Sequence, residues 1–253
     1  MNVRGTYTLC LRETLRFKSV WLQTLLGPVI SVLLFVAIFA AAFGRADIVV
    51  NSTPYLIFIV PGLALMAMLQ NAFANTSSSI LIAKVSGTIV DVLMAPLAPY
   101  ELLIGYVSAA LLRAIIIVLV LITAISPFVD IAIENWPLAF AVALLASIAF
   151  AILGVINGIM ATRMEHVAGT AAVVIAPLTM LAGTFYSVAA LEQPFRSISY
   201  ANPVFYMVDA FRSAFTGTSD GHPFLTLLGL LALNAALVWI TVRMLRSGYR
   251  LKA

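Results

Sequence analysis

The sequence offers few side chains that could perform catalysis or bind a metal. The candidates are two histidines, three serines ahead of a lysine, and two neighbouring carboxylates: His166, His222, serines 77–79, Lys84, Asp130 and Glu134. The serines have no histidine near them in sequence to act as a base, and the topology derived below separates the two histidines by a membrane. Cys10 is the only cysteine, which excludes an internal disulfide and thiol metal sites. We therefore expect that the chain has no catalytic residue and no metal site and that it is not an enzyme.

Arg113 is the one ionisable residue well inside an apolar stretch. It lies twelve residues after Glu101, about 18 Å along a helix and near the middle of a bilayer core of about 30 Å. An arginine there costs about 2.5–3.5 kcal/mol, so it should face protein, a water-filled cavity or an anionic partner. Two interpretations stay open. Arg113 is either structural, bonded to backbone carbonyls or to polar groups such as Asn157, or a cationic point in a substrate pathway.

The elements that position these residues are membrane-spanning helices. Only 9% of the 253 residues are charged and 63% are hydrophobic, so the chain cannot cover a soluble domain with charge. Six nearly uncharged stretches each supply the roughly 20 apolar residues that a span needs: 20–43, 54–74, 99–125, 137–161, 167–186 and 223–243. The predicted fold is all-α and polytopic, with a segment 1–19 followed by one membrane domain, 20–253.

Lysine and arginine placement predicts the orientation. With the N-terminus in the cytoplasm, the inside segments hold ten basic residues: Arg4, Arg12, Arg16, Lys18, Lys84, Arg163, Arg243, Arg246, Arg250 and Lys252. The outside segments hold three: Arg45, Arg196 and Arg212. Because basic residues favour the cytoplasmic side, both termini are predicted to be cytoplasmic. The same distribution explains the high isoelectric point without a nucleic-acid partner.

Two segments on the inside are predicted to form amphipathic helices. In the first, Tyr7, Leu11 and Leu15 recur at helical spacing beside arginines, which indicates an interfacial helix; a plain basic anchor for the first span is the alternative. The second, between spans two and three, places Asp91 opposite an apolar face of Ile89, Val92, Leu93 and Pro96. It is either a helix across the cytoplasmic mouth or a membrane-surface loop without a partner.

Two motifs resemble those of a known family, the ABC-2 type exporter permeases. The first is Gly87-Thr-Ile-Val-Asp-Val-Leu-Met-Ala-Pro-Leu97, followed by Pro99 and Glu101. The second is Gly183-Thr-Phe-Tyr186, followed by Asn202-Pro203 and a downstream Arg212. The resemblance extends over nearly the whole chain. The family includes the nodulation-factor, O-antigen and drug-export permeases of bacterial inner membranes.

The resemblance implies a half-transporter. Two copies would assemble in the membrane lipid, and each would dock a separate ATPase subunit that binds ATP and magnesium. The sequence contains no Gly-x-x-x-x-Gly-Lys-Ser/Thr phosphate loop, and no cofactor is expected in this chain. The expected ATPase-coupling loop comprises Lys84, Gly87, Thr88, Ile89, Asp91, Leu93 and Pro96, and the expected substrate pathway includes Arg113 and Asn157.

The segment 187–222 is predicted to form two short helices with a break at Asn202-Pro203, and the resemblance implies that they form a partly re-entrant outer pair. Its expected functional residues are Phe185, Tyr186, Asn202, Pro203, Tyr206, Asp209 and Arg212. Its aromatic residues suit the headgroup level of a membrane: Phe195, Tyr200, Phe205, Tyr206, Phe211 and Phe215. Asp209 and Arg212, three residues apart, are predicted to form a surface ion pair, with a direct role in release as the alternative.

The favoured function is export of an amphipathic or lipid-linked molecule, with ATP hydrolysed on a separate subunit. The alternative is an ATP-independent membrane scaffold. A secondary transporter is disfavoured, because the spans carry no carboxylate or histidine near their centres for ion coupling.

Overall fold

The computed structural model describes residues 2–19, 21–43, 48–50, 53–129 and 131–250. These residues form α1 Val3–Ser19, α2 Trp21–Phe43, α3 Tyr55–Val85, α4 Ile89–Met94, α5 Pro99–Ile125, α6 Trp136–Met160, α7 Met164–Thr170, α8 Ala176–Met180, α9 Phe195–Ala201, α10 Pro203–Thr216 and α11 Pro223–Ser247. A π-helical turn, Ala171–Ile175, joins α7 to α8, and Val188–Ala190 is a 3₁₀ turn. Strands β1 Val49–Val50 and β2 Thr53–Pro54 form a short antiparallel hairpin. The described chain is otherwise made of helices joined by turns and loops, as the sequence predicts.

Among the described residues, five helices are long and apolar enough to cross a membrane: α3, α5, α6, α11 and residues Thr24–Ala42 of α2. The predicted fifth span corresponds to the shorter composite helix Met164–Met180. The π-helical turn interrupts it, and Pro177 opens its last segment. The count of six spans therefore stays a prediction.

The predicted end of the second span at residue 74 is wrong, because α3 continues to Val85. The polar run that suggested a loop lies inside the bundle, where its side chains find partners. The Thr76 hydroxyl donates to the Ala151 carbonyl at 2.7 Å, and the Ser77 hydroxyl accepts from Asn157 Nδ2 at 2.7 Å. A hydroxyl that bonds to a neighbouring helix costs little within a span, so the helix continues.

Helices α3 and α6 pack closely because α6 presents glycines. A Cβ at Gly154 would collide with the Thr76 hydroxyl and the Phe73 carbonyl. At Gly158 it would lie 2.8 Å from the Ser77 carbonyl oxygen. The four-residue spacing thus places two small residues against one neighbour, the arrangement that allows helix backbones to approach closely in lipid.

The bundle has two ends with different elements. We call the end that carries α1, α4 and the last turn of α11 the N-terminal face. We call the end that carries the β1–β2 hairpin, α9 and α10 the opposite face. Helix α1 packs on α5 and buries Leu9 and Glu13, whereas Tyr7, Leu11 and Leu15 are exposed. An exposed apolar stripe beside a protein-bound side fits a helix that lies at a membrane surface.

Candidate functional site

The predicted coupling loop forms a small surface on the N-terminal face. Gly87 has a φ of +75°, which glycine adopts without strain, and lets the chain turn out of α3. In α4, Ile89 and Val92 are buried while Asp91 is exposed, so the predicted amphipathic helix is confirmed. Pro96 was wrongly placed on its apolar face, because it lies beyond the end of α4 and is exposed. Thr88 precedes α4, and its hydroxyl lies 2.9 Å from the Ser86 hydroxyl.

Helices α1 and α4 border a shallow groove of about 280 Å³. Asn2 and Arg12 line one side of the groove, and Asp91 and Pro96 line the other. Leu93 is half-buried and packs against the main core. The groove thus carries one cation and one carboxylate among small and apolar residues on the N-terminal face.

Glu101 ties the start of α1 to this surface. Its Oε1 accepts from the Asn2 amide at 2.5 Å, and its Oε2 accepts from the Ala98 amide at 2.7 Å. Asn2 Nδ2 also donates to the Pro96 carbonyl at 3.3 Å. A buried carboxylate that accepts two backbone N–H bonds holds both segments in one geometry. Helix α1 and the loop after α4 therefore form one unit.

Lys84 lies in the last turn of α3 rather than in a loop. Its ammonium donates to the carbonyls of Gly158, Ile159 and Ala161, at 3.4, 2.7 and 2.6 Å. The last carbonyls of a helix have no intrahelical partner, and a cation there also complements the helix dipole. The structure thus places Lys84 as a cap on α6 rather than on the exposed coupling surface.

Arg113 is buried between α5 and α3. Its Nη1 donates to Asn75 Oδ1 at 3.1 Å, and its Nη2 donates to Asn71 Oδ1 at 3.0 Å. The two asparagines lie one helical turn apart, so both amide oxygens face the guanidinium fork. Bonds to polar side chains are what the structural interpretation predicts, but the named example, Asn157, is wrong, because that side chain bonds to Ser77 instead.

A second group of polar residues connects Arg113 with α1. Glu13 is buried, and its Oε2 accepts from the Ser79 hydroxyl at 2.5 Å and lies 3.4 Å from Arg16 Nη2. Arg16 Nη2 in turn donates to the backbone carbonyl of Asn75 at 3.3 Å. Two cations therefore converge on Asn75, and Glu13 offsets one of their charges. We call Glu13, Arg16, Asn71, Asn75, Ser79 and Arg113 the polar network.

Most of the polar network could not be identified as a site from the sequence. Asn71 and Asn75 stand four residues apart in an apolar segment, a spacing that puts both on one helix face. Glu13 is the only acidic residue of a basic helix. These two signals indicate a polar face and an internal counter-ion, but only the packing of α1 on α3 and α5 brings them together.

On the opposite face, Arg212 joins the two parts of the second family motif. Its Nε donates to the Phe58 carbonyl at 3.0 Å, and its Nη2 donates to the Gly183 carbonyl at 2.6 Å. The guanidinium also stacks 3.8 Å above the Phe58 ring. Burial lowers the pKa of Arg212 to about 10, although the carboxylates of Asp209 and Asp220 oppose this change. The side chain stays protonated at neutral pH.

The predicted surface ion pair between Asp209 and Arg212 is wrong. Both side chains are buried. Asp209 accepts from the Ser219 hydroxyl at 2.6 Å and from the amides of Asp220 and Gly221, each at 3.0 Å. The residues lie inside the bundle because α10 packs against α3 and α6, so each finds backbone partners instead of water.

The other predicted residues of this segment hold the turn and the helix pair. Asn202 caps α10 by accepting from the Val204 amide at 2.9 Å, and its Nδ2 donates to the Leu178 carbonyl at 2.7 Å. Pro203 occupies the first turn of α10, where a proline fits. The Tyr186 hydroxyl donates to the Leu181 carbonyl at 3.3 Å.

Aromatic side chains divide into two groups on this face. Phe185 packs with Phe35 and Phe39, and the Tyr55 hydroxyl donates to the Phe185 carbonyl at 3.0 Å. Of the aromatic residues expected at the headgroup level, half are exposed and half are buried. Phe195, Tyr200 and Tyr206 are exposed, but Phe205, Phe211 and Phe215 are buried, because these three face the bundle side of α10.

Among the described residues, the two histidines proposed as catalytic candidates lie on opposite faces and do not come together. The described residues contain no group of three histidines, cysteines or carboxylates that could hold a metal ion. His166 lies in α7 after the N-terminal-face end of α6, and His222 precedes α11 on the opposite face. Asp130 lies outside the described residues, and Glu134 donates its amide to the Ala214 carbonyl at 3.0 Å.

Comparison with known proteins gives the family. Residues 4–216 match the family model described as ABC-2 type transporter. The chain is also similar to the inner membrane transport permease YadH of Escherichia coli K12, with 34% identity over 221 residues, 87% of this chain and 86% of the relative. A protein of the same name from Shigella flexneri matches to the same extent. The chain therefore belongs to the ABC-2 type transporter family and is the membrane subunit of an ABC transporter.

Proposed function

We propose that this chain is the membrane half of an ABC exporter in the bacterial inner membrane. It moves an amphipathic or lipid-linked molecule outward, two copies form the membrane domain, and a separate subunit hydrolyses ATP. The N-terminal face is cytoplasmic in this proposal, in agreement with the distribution of basic residues. The observation that carries the proposal is the polar network, which joins a surface helix to a buried cation.

The docking site for the ATPase is the surface formed by α1 and α4. Asp91 is exposed there, and the groove beside it is lined by Arg12 and Pro96. Because Glu101 bonds to both Asn2 and Ala98, a force on either segment reaches the start of α5. Movement of α1 also acts on Glu13 and Arg16, and through them on Asn75 and Arg113.

Arg113 has a role in the substrate pathway in this proposal. Its fork donates to two neutral amide oxygens, those of Asn75 and Asn71, which orient the planar guanidinium. A phosphate or carboxylate headgroup binds more strongly to such a guanidinium than to a neutral wall. A membrane scaffold would have no need of a buried cation connected to a surface helix.

Asp91→Lys tests the docking site. The exposed residue can change without disturbing the core, so we expect normal membrane insertion, loss of the copurifying ATPase subunit and loss of vanadate-sensitive ATP hydrolysis. Glu165→Lys, in the exposed first turn of α7 on the same face, is the matched control for charge. Normal copurification and normal hydrolysis with Asp91→Lys would refute docking at α4.

A further inference from the structure

One side of α11 is exposed along the whole helix. Leu228, Leu231 and Trp239 are exposed on this side, whereas Leu230 and Leu237 are buried against the bundle. Helix α11 packs most extensively on α6, and it is long and apolar enough to cross a membrane. Because apolar side chains on the outside of a spanning helix contact lipid chains, we call this the lipid-facing side of α11.

Two arginines continue the lipid-facing side at the N-terminal-face end of α11. Arg243 and Arg246 are exposed, and they follow Trp239 at steps of four and three residues, which keep to one side of a helix. Three residues correspond to about 4.5 Å along the helix axis. Both guanidinium groups can therefore reach the oxygens of one phosphate.

Trp239 marks the level at which lipid chains meet lipid headgroups. Its side chain is exposed, and the guanidinium carbon of Arg243 lies 4.0 Å from the centroid of its ring. Tryptophan is enriched at this level of membrane proteins because its ring is apolar while its N–H group is polar. An occupant of this position therefore has an apolar chain beside Trp239 and a polar group beside the two arginines.

Arg250 adds a third cation to the same end of the bundle. Helix α11 ends at Ser247, and the chain then turns at Gly248, which has a φ of +64°. Arg250 is exposed, and its Nη1 donates to the carbonyl of Met160 at the end of α6, at 3.4 Å. The Lys84 ammonium donates to neighbouring carbonyls of the same turn. The ends of α6 and α11 therefore form one cationic region.

The described part of the chain supplies no counter-ion to these arginines. No carboxylate of the described residues lies within 4.0 Å of Arg243, Arg246 or Arg250. The exposed carboxylates described on the N-terminal face, those of Asp91 and Glu165, belong to other helices. Exposed guanidinium groups at a membrane surface attract anionic lipids, so charge complementarity favours an anionic headgroup at this place.

We propose that Arg243, Arg246 and Arg250 bind the headgroup of an anionic phospholipid. The phosphate lies between Arg243 and Arg246, and an acyl chain lies along Trp239 and the lipid-facing side of α11. A zwitterionic headgroup is disfavoured, because it brings an ammonium group beside three guanidinium groups. The site does not depend on ATP, on the ATPase subunit or on the transported molecule. The orientation proposed above determines only the leaflet, which is the cytoplasmic one.

Quenching of Trp239 fluorescence by lipids with brominated chains tests this site in the full-length protein. Replacement of Trp21 and Trp136 by phenylalanine leaves Trp239 as the only tryptophan. The single-tryptophan protein is placed in bilayers of phosphatidylcholine that contain either brominated phosphatidylglycerol or brominated phosphatidylcholine at the same mole fraction. We expect phosphatidylglycerol to associate beside Trp239 at least about fivefold more strongly, the gain expected from one arginine at a membrane surface.

Arg243→Gln together with Arg246→Gln should abolish this preference, and exposed substitutions of this kind leave the fold intact. The matched control is Arg4→Gln together with Arg12→Gln, which removes two exposed arginines from α1 on the same face and should keep the preference. If the first double variant fails to elute as a folded protein, Arg246→Gln alone should lower the preference to less than about half.

Four results would overturn the proposal. Equal quenching by both lipids in the single-tryptophan protein would refute the site, and a preference that survives the loss of Arg243 and Arg246 would refute their role. Weak quenching by both lipids would mean that a second copy of the chain covers this side of α11. Loss of the preference when the ATPase subunit binds would assign the arginines to that subunit instead.

Discussion

Replacement of Arg113 by lysine and by leucine separates the contribution of its fork from the contribution of its charge. The guanidinium makes two hydrogen bonds, to Asn75 and Asn71, at 3.1 and 3.0 Å. Lysine keeps the charge at the same depth but cannot reproduce the planar fork. Leucine removes both the charge and the bonds and leaves an apolar side chain of acceptable size.

The magnitudes follow from these contacts. A hydrogen bond to a charged group contributes about 1.5–3 kcal/mol, so Arg113→Lys, which keeps one bond at most, should lower the free energy of unfolding by about that amount. Arg113→Leu loses both bonds, about 3–6 kcal/mol. It also removes the cost of an arginine at mid-membrane, about 2.5–3.5 kcal/mol. The net loss should be about 0–3 kcal/mol, so lysine should be no better tolerated than leucine.

Reversible unfolding in mixed micelles, followed by circular dichroism, measures these differences. Arg246→Lys is the control, because this arginine is exposed in the last turn of α11 and should change the free energy of unfolding by less than about 0.5 kcal/mol. Wild-type stability of Arg113→Lys would refute the bonds to Asn71 and Asn75. A loss well above 3 kcal/mol for leucine would contradict this balance between the hydrogen bonds and the cost of burying the charge.

Three further predictions concern packing, the opposite face and orientation. Gly154→Leu should prevent folding, because even a Cβ there collides with Thr76 and the Phe73 backbone; a normal yield of monodisperse protein would contradict this, and Gly27→Leu should fold normally. Arg212→Lys should lower the thermal midpoint by several degrees, since lysine cannot bond to the Phe58 and Gly183 carbonyls together; an unchanged midpoint would argue against this clamp. Cys10 should react with a membrane-impermeant maleimide in inverted vesicles and stay unreacted in intact cells, and the reverse result would overturn the cytoplasmic N-terminus.

Composition and hydrophobic periodicity predicted much of the fold. The prediction that α4 is amphipathic was correct, since Asp91 is exposed and Ile89 is buried. The break at Asn202 was also correct, since a capping asparagine followed by proline is a local signal. The length of α3 was not predictable by hydropathy, because the polarity of residues 75–79 resembles a loop until neighbouring helices supply partners for these side chains.

The site was less predictable than the fold, because its contacts join residues far apart in sequence. Arg113 was identified by its depth in an apolar segment, but its partners lie on α3, and sequence spacing between different helices does not determine which polar groups meet. Lys84 was assigned to the coupling loop by its position near Gly87. Its bonds to α6 depend on where that helix ends. Asp209 and Arg212 have the spacing of a surface ion pair. Only the burial of α10 in the bundle gives each of them other hydrogen-bond partners.

Coupling through α1 is tested most directly by ATP hydrolysis in the reconstituted complex that carries Glu13→Gln. The substitution keeps the shape of the side chain and removes its negative charge. In the wild type, the carboxylate Oε2 lies 3.4 Å from Arg16 Nη2 and accepts from the Ser79 hydroxyl. With Glu165→Gln as the control, we predict that Glu13→Gln retains the ATPase subunit at normal stoichiometry and loses at least about tenfold in vanadate-sensitive hydrolysis. Wild-type hydrolysis in a complex of normal stoichiometry would contradict transmission through the polar network.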